Sequence, residues 1–505
     1  MAQFHVIILV PLLIFATVRI YETLRAYTAR SSLAQKNNCK PPKKYPHKEP
    51  ILGLDLFYSM VQSAKKGHSL KSLVQLHETY GRTFQATSFG ETIINTTEPK
   101  ILTTVLATKS ENFGVWSIRA PPATPLVAGG VFTTDGADWA HSRGLIKPCF
   151  ARAQVADLVS LKVHVDRLVE LIPKDGSTFD LQTLFSRLSL DSSTGFLFGE
   201  SLDSLLETNS IETEKFLSSF NTAQYGVGER VRLGKLRFLY RDKRYTEACK
   251  SVHSFIDNYV VKAVNNKPEE EGNKSEPTNP QRKRYILLDE MAKVTKDTTD
   301  LRYQILSVFL AGHEATAVAL GSIFFHLARN RAIWDRLRSE VKAVGNAPLT
   351  FELLKSMQYL RYVISENLRL NPVAPLMSRM CLRDTVLPAG GGPDGGDPLL
   401  VTRGQTIAWS TYALHRDSSF WGADVESFRP ERWEDVRPRW EYIPFGGGTR
   451  ICPAQQLALT EIGYVVVRLV QTFKTLENRD PKPWEELLKM TLVSKNGVQV
   501  GMFPE

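Results

Sequence analysis

The residues with the clearest chemical purpose lie in PFGGGTRICPA, Pro444 to Ala454. Three glycines lead to Arg450, and Cys452 follows two residues later with Pro453 behind it. Gly446, Gly447 and Gly448 carry no Cβ and permit tight turns, so backbone there can lie close against a flat ligand. Downstream, AQQLALTEIGYVVVRLVQTF repeats apolar residues at helical spacing from Leu457 to Phe473. Cys452 therefore stands just ahead of a helix N-terminus, where the dipole and the unpaired N–H groups favour the thiolate, the form that binds metal. The same residues also suit a glycine turn beside a buried structural thiol.

Three further stretches hold candidate chemistry. AGHEAT, Ala311 to Thr316, sits inside Leu301–Asn330, a run without proline that is apolar nearly all round. At 1.5 Å per residue this predicts a helix about 45 Å long through the interior. Ala311 and Gly312 are small, and Gly312 costs about 1 kcal/mol of helix propensity relative to alanine, which is tolerable where a groove must open. Glu314 can pass protons. In ENLR, Glu366 and Arg369 share one helical face, and FRPERW supplies Arg432 about twenty residues before the cysteine. In DWAHSRGLIKPCF, Trp139 and Arg143 are one helical turn apart.

In this order the motifs resemble the cytochrome P450 family of haem-thiolate monooxygenases, whose cysteine loop reads F-x-x-G-x-R-x-C-x-G/A. Phe445, Gly448, Arg450, Cys452 and Ala454 fill that pattern, and the resemblance spans nearly the whole chain. It implies haem b as cofactor with Cys452 as axial ligand, the thiolate donating electron density that promotes O–O cleavage. Arg450, Trp139 and Arg143 would then hold the propionates. Glu366, Arg369 and Arg432 would form the charge cluster that braces the haem side, serving folding and haem retention. Ala311 and Gly312 would line the oxygen side, with Glu314 and Thr316 as the proton relay.

One position departs from the family pattern. The residue after Glu314, normally threonine, is Ala315, and the hydroxyl falls at Thr316, about 100° further round the helix. A widened helix turn, a substrate hydroxyl or a water on Glu314 would each restore a relay. Thr316 could also simply bond back to its own helix.

The resemblance also gives an expected pocket: Pro125–Gly130, Phe309, Asn371–Met377 and the stretch around Leu492. All are mainly apolar and suit a lipophilic substrate, though each also suits ordinary core packing. TKDTTDLRYQIL, GGGPDGGDPLLVTRGQ and FGGGTRICPAQQLALTE look closest to the fungal alkane and fatty-acid hydroxylase branch. A polyketide or terpenoid in fungal secondary metabolism fits the altered helix motif equally well. The glycines at 390–396 are no phosphate loop, because no G-K-S/T follows. Lacking a flavin or dinucleotide motif, the chain would draw electrons from an NADPH–cytochrome P450 reductase with an acidic docking face. Two other classes stay in view. One is a reductase-independent haem-thiolate enzyme, peroxide-driven or isomerising, and the other is a non-catalytic haem sensor.

The elements that must position these residues fit a mainly α protein with a smaller β-rich part (α+β). Residues 1–21 are expected as an N-terminal membrane anchor, 22–50 as a basic, proline-rich linker and 51–505 as one catalytic domain. Phe4 to Val18 is short for a bilayer core about 30 Å thick, but Arg19 and Tyr21 extend it by snorkelling. Arg19, Arg25, Arg30 and Lys36 follow it, which places the remainder in the cytosol, on the endoplasmic reticulum membrane. A buried core helix is the alternative. In the cytosolic orientation neither sequon, at Asn95 or Asn273, is glycosylated. Thr83 to Thr96 reads as a hairpin, and Asn265 to Arg284 as a polar surface loop.

The chain has 505 residues, a net charge of +10 and a hydrophobic share of 43%, enough for a large core. Its basic balance suits a membrane surface or an acidic protein partner; without zinc-finger spacing or a dense arginine block, nucleic acid is not expected. Cys39, Cys149, Cys249, Cys381 and Cys452 are scattered and odd in number, which argues against a disulfide framework.

Overall fold

The computed structural model describes residues 2–151, 158–206, 211–265, 286–345 and 347–505, with side chains from residue 14 onward. The sequon at Asn273 and nearly all of the 265–284 stretch lie outside the described residues. The chain divides into two compact units. One comprises Met1–Asp55, Gln75–Gly114 and Ser378–Trp409; the other comprises Leu56–Val74, Val115–Met377 and Ser410–Glu505.

The first unit carries a six-stranded sheet. Its strand order is Lys43–Lys44, Thr83–Ser88, Glu91–Thr96, Thr406–Ser410, Leu376–Cys381 and Phe113–Gly114. The expected hairpin is its centre, with Thr83 opposite Thr96 and Ser88 opposite Glu91. Asn95 lies within it, paired to strands on both sides. The glycines at 390–396 turn the antiparallel pair Thr385–Gly391 and Asp397–Val401; Gly392 and Gly395 take positive φ there, which side chains resist.

The first helix runs over Ala2–Lys36, so residues 22–36 are helical. The proline-rich stretch after it is not a free spacer. Lys43 and Lys44 pair in parallel with Phe84 and Gln85, at the sheet edge, the position open to a segment whose prolines cannot donate. Lys40 N donates to Pro398 O and Gly392 N to Pro41 O, fixing that stretch further. Arg30 meets Asp384 at 2.9 Å.

The second unit is helical around the long helix Thr298–Arg329, which is capped by Asp297 accepting from Thr299 N and Asp300 N. The helix is 32 residues long, and its two ends bury Leu301–Phe309 and Thr316–Leu327 on most of their faces. Phe324 packs on Phe185 at 5.3 Å and on Trp334 at 6.5 Å. Each such side chain contributes about 1.5–3 kcal/mol by leaving water. Among the described residues it is the one helix long and apolar enough to cross a bilayer, yet 61% of that stretch is buried in protein, which makes it a core helix. The helices Leu181–Phe198, Gln358–Leu370 and Gln455–Thr472 share its core.

Candidate active site

The cysteine loop folds as its glycines demand. Gly446 and Gly448 adopt φ of 72° and 65°, where an L side chain is strained. A Cβ at Gly447 would stand 2.6 Å from the Trp440 ring. Cys452 N donates to Phe445 O at 3.0 Å and Ile451 N to Gly448 O at 3.2 Å, closing the loop. The following helix, Gln455–Thr472, starts with Ala454 as its cap. The Ala454 N–H and the Arg143 guanidinium pull the Cys452 thiol down, but burial pushes it up by more. Helix position therefore acts in the direction of the thiolate but is outweighed by burial.

Around the loop, positive charge is in excess. Arg450 Nη2 donates to Asp135 Oδ1 at 2.7 Å and to Thr134 O at 2.9 Å, and its guanidinium lies 4.6 Å from the Trp139 ring centre. Arg143 Nη2 donates to Ile451 O at 2.9 Å. A third cation escaped sequence reading: Arg119, on the short helix Trp116–Ala123, donates to Phe132 O at 3.3 Å. Burial, with repulsion from Arg450, lowers Arg119 to about 10 against the pull of Asp135; burial also lowers Arg143 and Arg450. Asp135 is the carboxylate that acts on Arg119 and Arg450, whereas Arg143 feels Cys452; Asp135 also accepts from Val115 N and Trp116 N. Among the described residues the guanidiniums outnumber the carboxylate here. The propionates of a haem would answer that excess, so the residues present fit the group.

The long helix opens where sequence placed the oxygen side. Ala311 is exposed and residues 312–315 are partly accessible, between two buried stretches. Gly312 O accepts from Ser189 Oγ at 3.3 Å. A methyl at Gly312 would meet Ser193 Oγ at an ordinary 3.5 Å, so packing on that side does not demand glycine. The helix is α throughout, without the widening that could swing Thr316 round. Instead Thr316 Oγ1 donates to Glu461 Oε2 at 3.2 Å, and Ser192 Oγ donates to Glu461 Oε1 at 3.1 Å. Burial holds the Glu461 carboxyl up against both bonds. Glu314 Oε2 accepts from Thr491 Oγ1 at 2.7 Å. Glu314 and Thr316 thus have separate partners.

The charge cluster is fully formed. Glu366 and Arg369 are completely buried and paired at 2.8 Å, and Arg432, also buried, reaches Glu366 at 3.3 Å and Asp424 at 2.9 Å.

Of the expected pocket segments, two meet: Leu492 N donates to Val373 O at 3.1 Å, and Ala374 and Leu376 are exposed beside them. Phe309 does not line an opening. It is wholly buried, with Phe220 at 4.8 Å and His313 at 5.1 Å. Leu126 and Val127 are likewise core, and Gly130 lies so close to Ser307 that no Cβ would fit. Of the residues missed, Arg119 and Glu461 had a signal, a lone charge in an apolar run; Thr491 had none.

A mainly helical unit with a bare-backbone cysteine loop and three guanidiniums gathered beside it suits an anionic, planar metal group. Comparisons with known proteins agree. The Cytochrome P450 family model matches residues 48–502. The chain is 40% identical over 469 residues to Cytochrome P450 monooxygenase himC of Aspergillus japonicus, covering 92% of this chain and 83% of that protein. It is 38% identical over 474 residues to Cytochrome P450 monooxygenase iccC of Talaromyces variabilis, covering 92% and 93%. To Cytochrome P450 52A12 of Debaryomyces hansenii it is 38% identical over 475 residues, covering 90% of each. The chain belongs to the cytochrome P450 family. It is an oxidoreductase of the monooxygenase type, and its haem b takes Cys452 as thiolate ligand.

Proposed function

We propose that this enzyme inserts one oxygen atom from dioxygen into a lipophilic substrate, with electrons from an NADPH-dependent reductase. The substrate would be an alkane- or fatty-acid-like chain, or a polyketide or terpenoid of fungal secondary metabolism. The balance is RH + O2 + NADPH + H+ giving ROH + NADP+ + H2O. The observation that carries the reading is the accessible Ala311–Ala315 stretch in an otherwise buried helix, in a chain whose cysteine loop and cation excess suit a haem. When bound, the haem supplies the redox centre at which dioxygen is reduced. Arg119, Arg143 and Arg450 neutralise its carboxylates, and Trp139 backs Arg450. Glu314 moves a proton along the accessible Ala311–Ala315 stretch, where the small Ala311 and Gly312 leave room. The apolar, exposed Ala374 and Leu376 favour a hydrocarbon surface over a charged one.

The exposed Ile14, Phe15, Val18, Ile20 and Tyr21 on the first helix support an N-terminal anchor in the endoplasmic reticulum membrane, with the catalytic part facing the cytosol. The test is turnover of extracted lipids by the purified protein with NADPH, reductase and isotopically labelled dioxygen. Products carrying one labelled oxygen are expected. Turnover with peroxide alone and none with reductase would replace this reading with the peroxide-driven one.

A further inference from the structure

Glu314 needs a partner to act in one direction, because the terminal torsion of a glutamate is broad and weakly held. On the long helix His313 feels the Glu314 charge but turns its Nδ1 to Phe309 O, and no hydroxyl of that helix is seen on Glu314 among the described residues. Residue 315 is alanine, and Thr316 lies about 200° round the helix from Glu314. At that separation two side chains do not face each other, and the Thr316 hydroxyl is engaged by Glu461. The hydroxyl that does reach Glu314 comes from another element. Thr491 Oγ1 donates to Glu314 Oε2 at 2.7 Å, a well-formed hydroxyl-to-carboxyl hydrogen bond.

Thr491 is not on a loose loop. Strands Glu486–Leu488 and Leu492–Ser494 pair antiparallel, with Leu488 opposite Leu492, so residues 489–491 form a three-residue turn. Lys489 N donates to Thr491 O across it, and Leu492 N donates to Val373 O. The Leu492 side chain is fully buried with Leu70 and Tyr412. Threonine is itself stiff at χ1.

We propose that Thr491 is the positioning residue for Glu314, its hydroxyl taking the place beside the acid that Ala315 leaves without one. This rests on the proton-transfer reading of Glu314 given above. Thr491 fixes one carboxylate oxygen and thereby the orientation of the other. Because it sits next to Leu492, whose backbone is tied to the expected pocket segment, substrate seating and acid orientation become linked.

The test uses the full-length, haem-loaded enzyme with reductase, and follows NADPH-driven oxygen consumption with and without dodecanoic acid as probe. The readouts are the share of electrons ending in hydrogen peroxide, its pH profile, and a thermal-melt double-mutant cycle between Thr491→Val and Glu314→Gln. Thr491→Val should raise the peroxide share about three- to tenfold, and Thr491→Ser should restore it. The double variant should be no worse than Glu314→Gln alone, and the two losses of melting temperature should not add. If Glu314→Gln is impaired while Thr491→Val matches the parent, the proposal fails and the relay stands. If Glu314→Gln also matches the parent, both readings fall. Additive losses, or no recovery with serine, would make Thr491 a pocket wall and overturn the proposal.

Discussion

Replacing Glu366 by glutamine should cost this protein its hold on the cysteine loop. The Glu366 carboxylate accepts five hydrogen bonds: two from Arg369, one from Arg432, one from Arg429 N and one from Trp433 Nε1. Both of its oxygens face donors only. A glutamine amide, in either orientation, would turn an N–H group against those donors and leave the buried Arg369 guanidinium without a countercharge, Arg432 keeping Asp424. Removing one partner of such a buried set costs about 3–5 kcal/mol. The damage would travel by a traceable route. Arg369 Nη1 donates to His415 O at 3.0 Å, Ile443 N donates to His415 Nε2 at 2.9 Å, and Gly446 N donates to Ile443 O at 3.0 Å. Phe445, one residue back, accepts from Cys452 N. Glu366→Gln should therefore lower the melting temperature by about 3–5 °C in a chain of this length and shift the ferrous carbonyl spectrum away from its thiolate form. Purified variant, haem content, that spectrum and a thermal melt suffice as the assay. A variant with full haem content and a melt within about 1 °C of the parent would refute the idea that this cluster supports the loop.

Other consequences are more local. Arg119→Gln removes one of the three guanidiniums beside the loop, so haem transfer to apomyoglobin should quicken about tenfold while the carbonyl spectrum keeps its thiolate form; an unchanged transfer rate would remove Arg119 from haem retention. Thr316→Val takes a donor from Glu461 and should lower stability by about 1 kcal/mol without altering the peroxide share; a changed share would return Thr316 to the proton path. Burial, helped by Arg369, lowers His415 to about 3, so the unfolded chain takes up a proton below its ordinary value near 6.5 while the folded one does not. Stability should be flat above that pH and fall by about 1.4 kcal/mol per unit below it, towards pH 3. His415→Gln should remove one such increment of slope in acid melts, and an unaltered slope would contradict the assignment.

Much of this was legible from residue order because it depends on local geometry. Glycines at 446–448, a cysteine before an apolar helix and an E-x-x-R on one helical face are short-range patterns, and each appears where the spacing places it. The hairpin at 83–96 and the long helix follow from alternation and from an unbroken apolar run. What could not be read depends on contacts between segments distant in the chain. Thr491 meets Glu314 across 177 positions, and Thr316 meets Glu461 across 145. Phe309 looked like a pocket residue because apolar character is shared by cavity walls and core. Its burial was decided by the facing helix Ile211–Arg232, which brings Phe216 and Phe220 against it. The thiol of Cys452 shows competition of another kind, since the helix N-terminus acts in the expected direction and burial exceeds it.

The two arginine groups of the second unit show how identical residue types acquire opposite roles. At Arg369 and Arg432 the positive charges are met by Glu366 and Asp424, and the remaining guanidinium hydrogens go to Trp421 O, Val425 O and Ser427 O among others. Arg429 also meets Asp424, but from the exposed rim, where water answers its charge. The set is complete without any ligand, as a purely supporting cluster must be, because an unmet charge in the interior would destabilise the fold. At Arg119, Arg143 and Arg450 the one carboxylate seen beside them among the described residues, Asp135, acts on Arg119 and Arg450 but not on Arg143, and burial drives all three guanidiniums downwards. A fold that keeps such an imbalance gains stability when an anion arrives, by mass action on the native state alone. Charge balance, rather than the presence of arginine, is what separates the scaffold of this site from its binding surface.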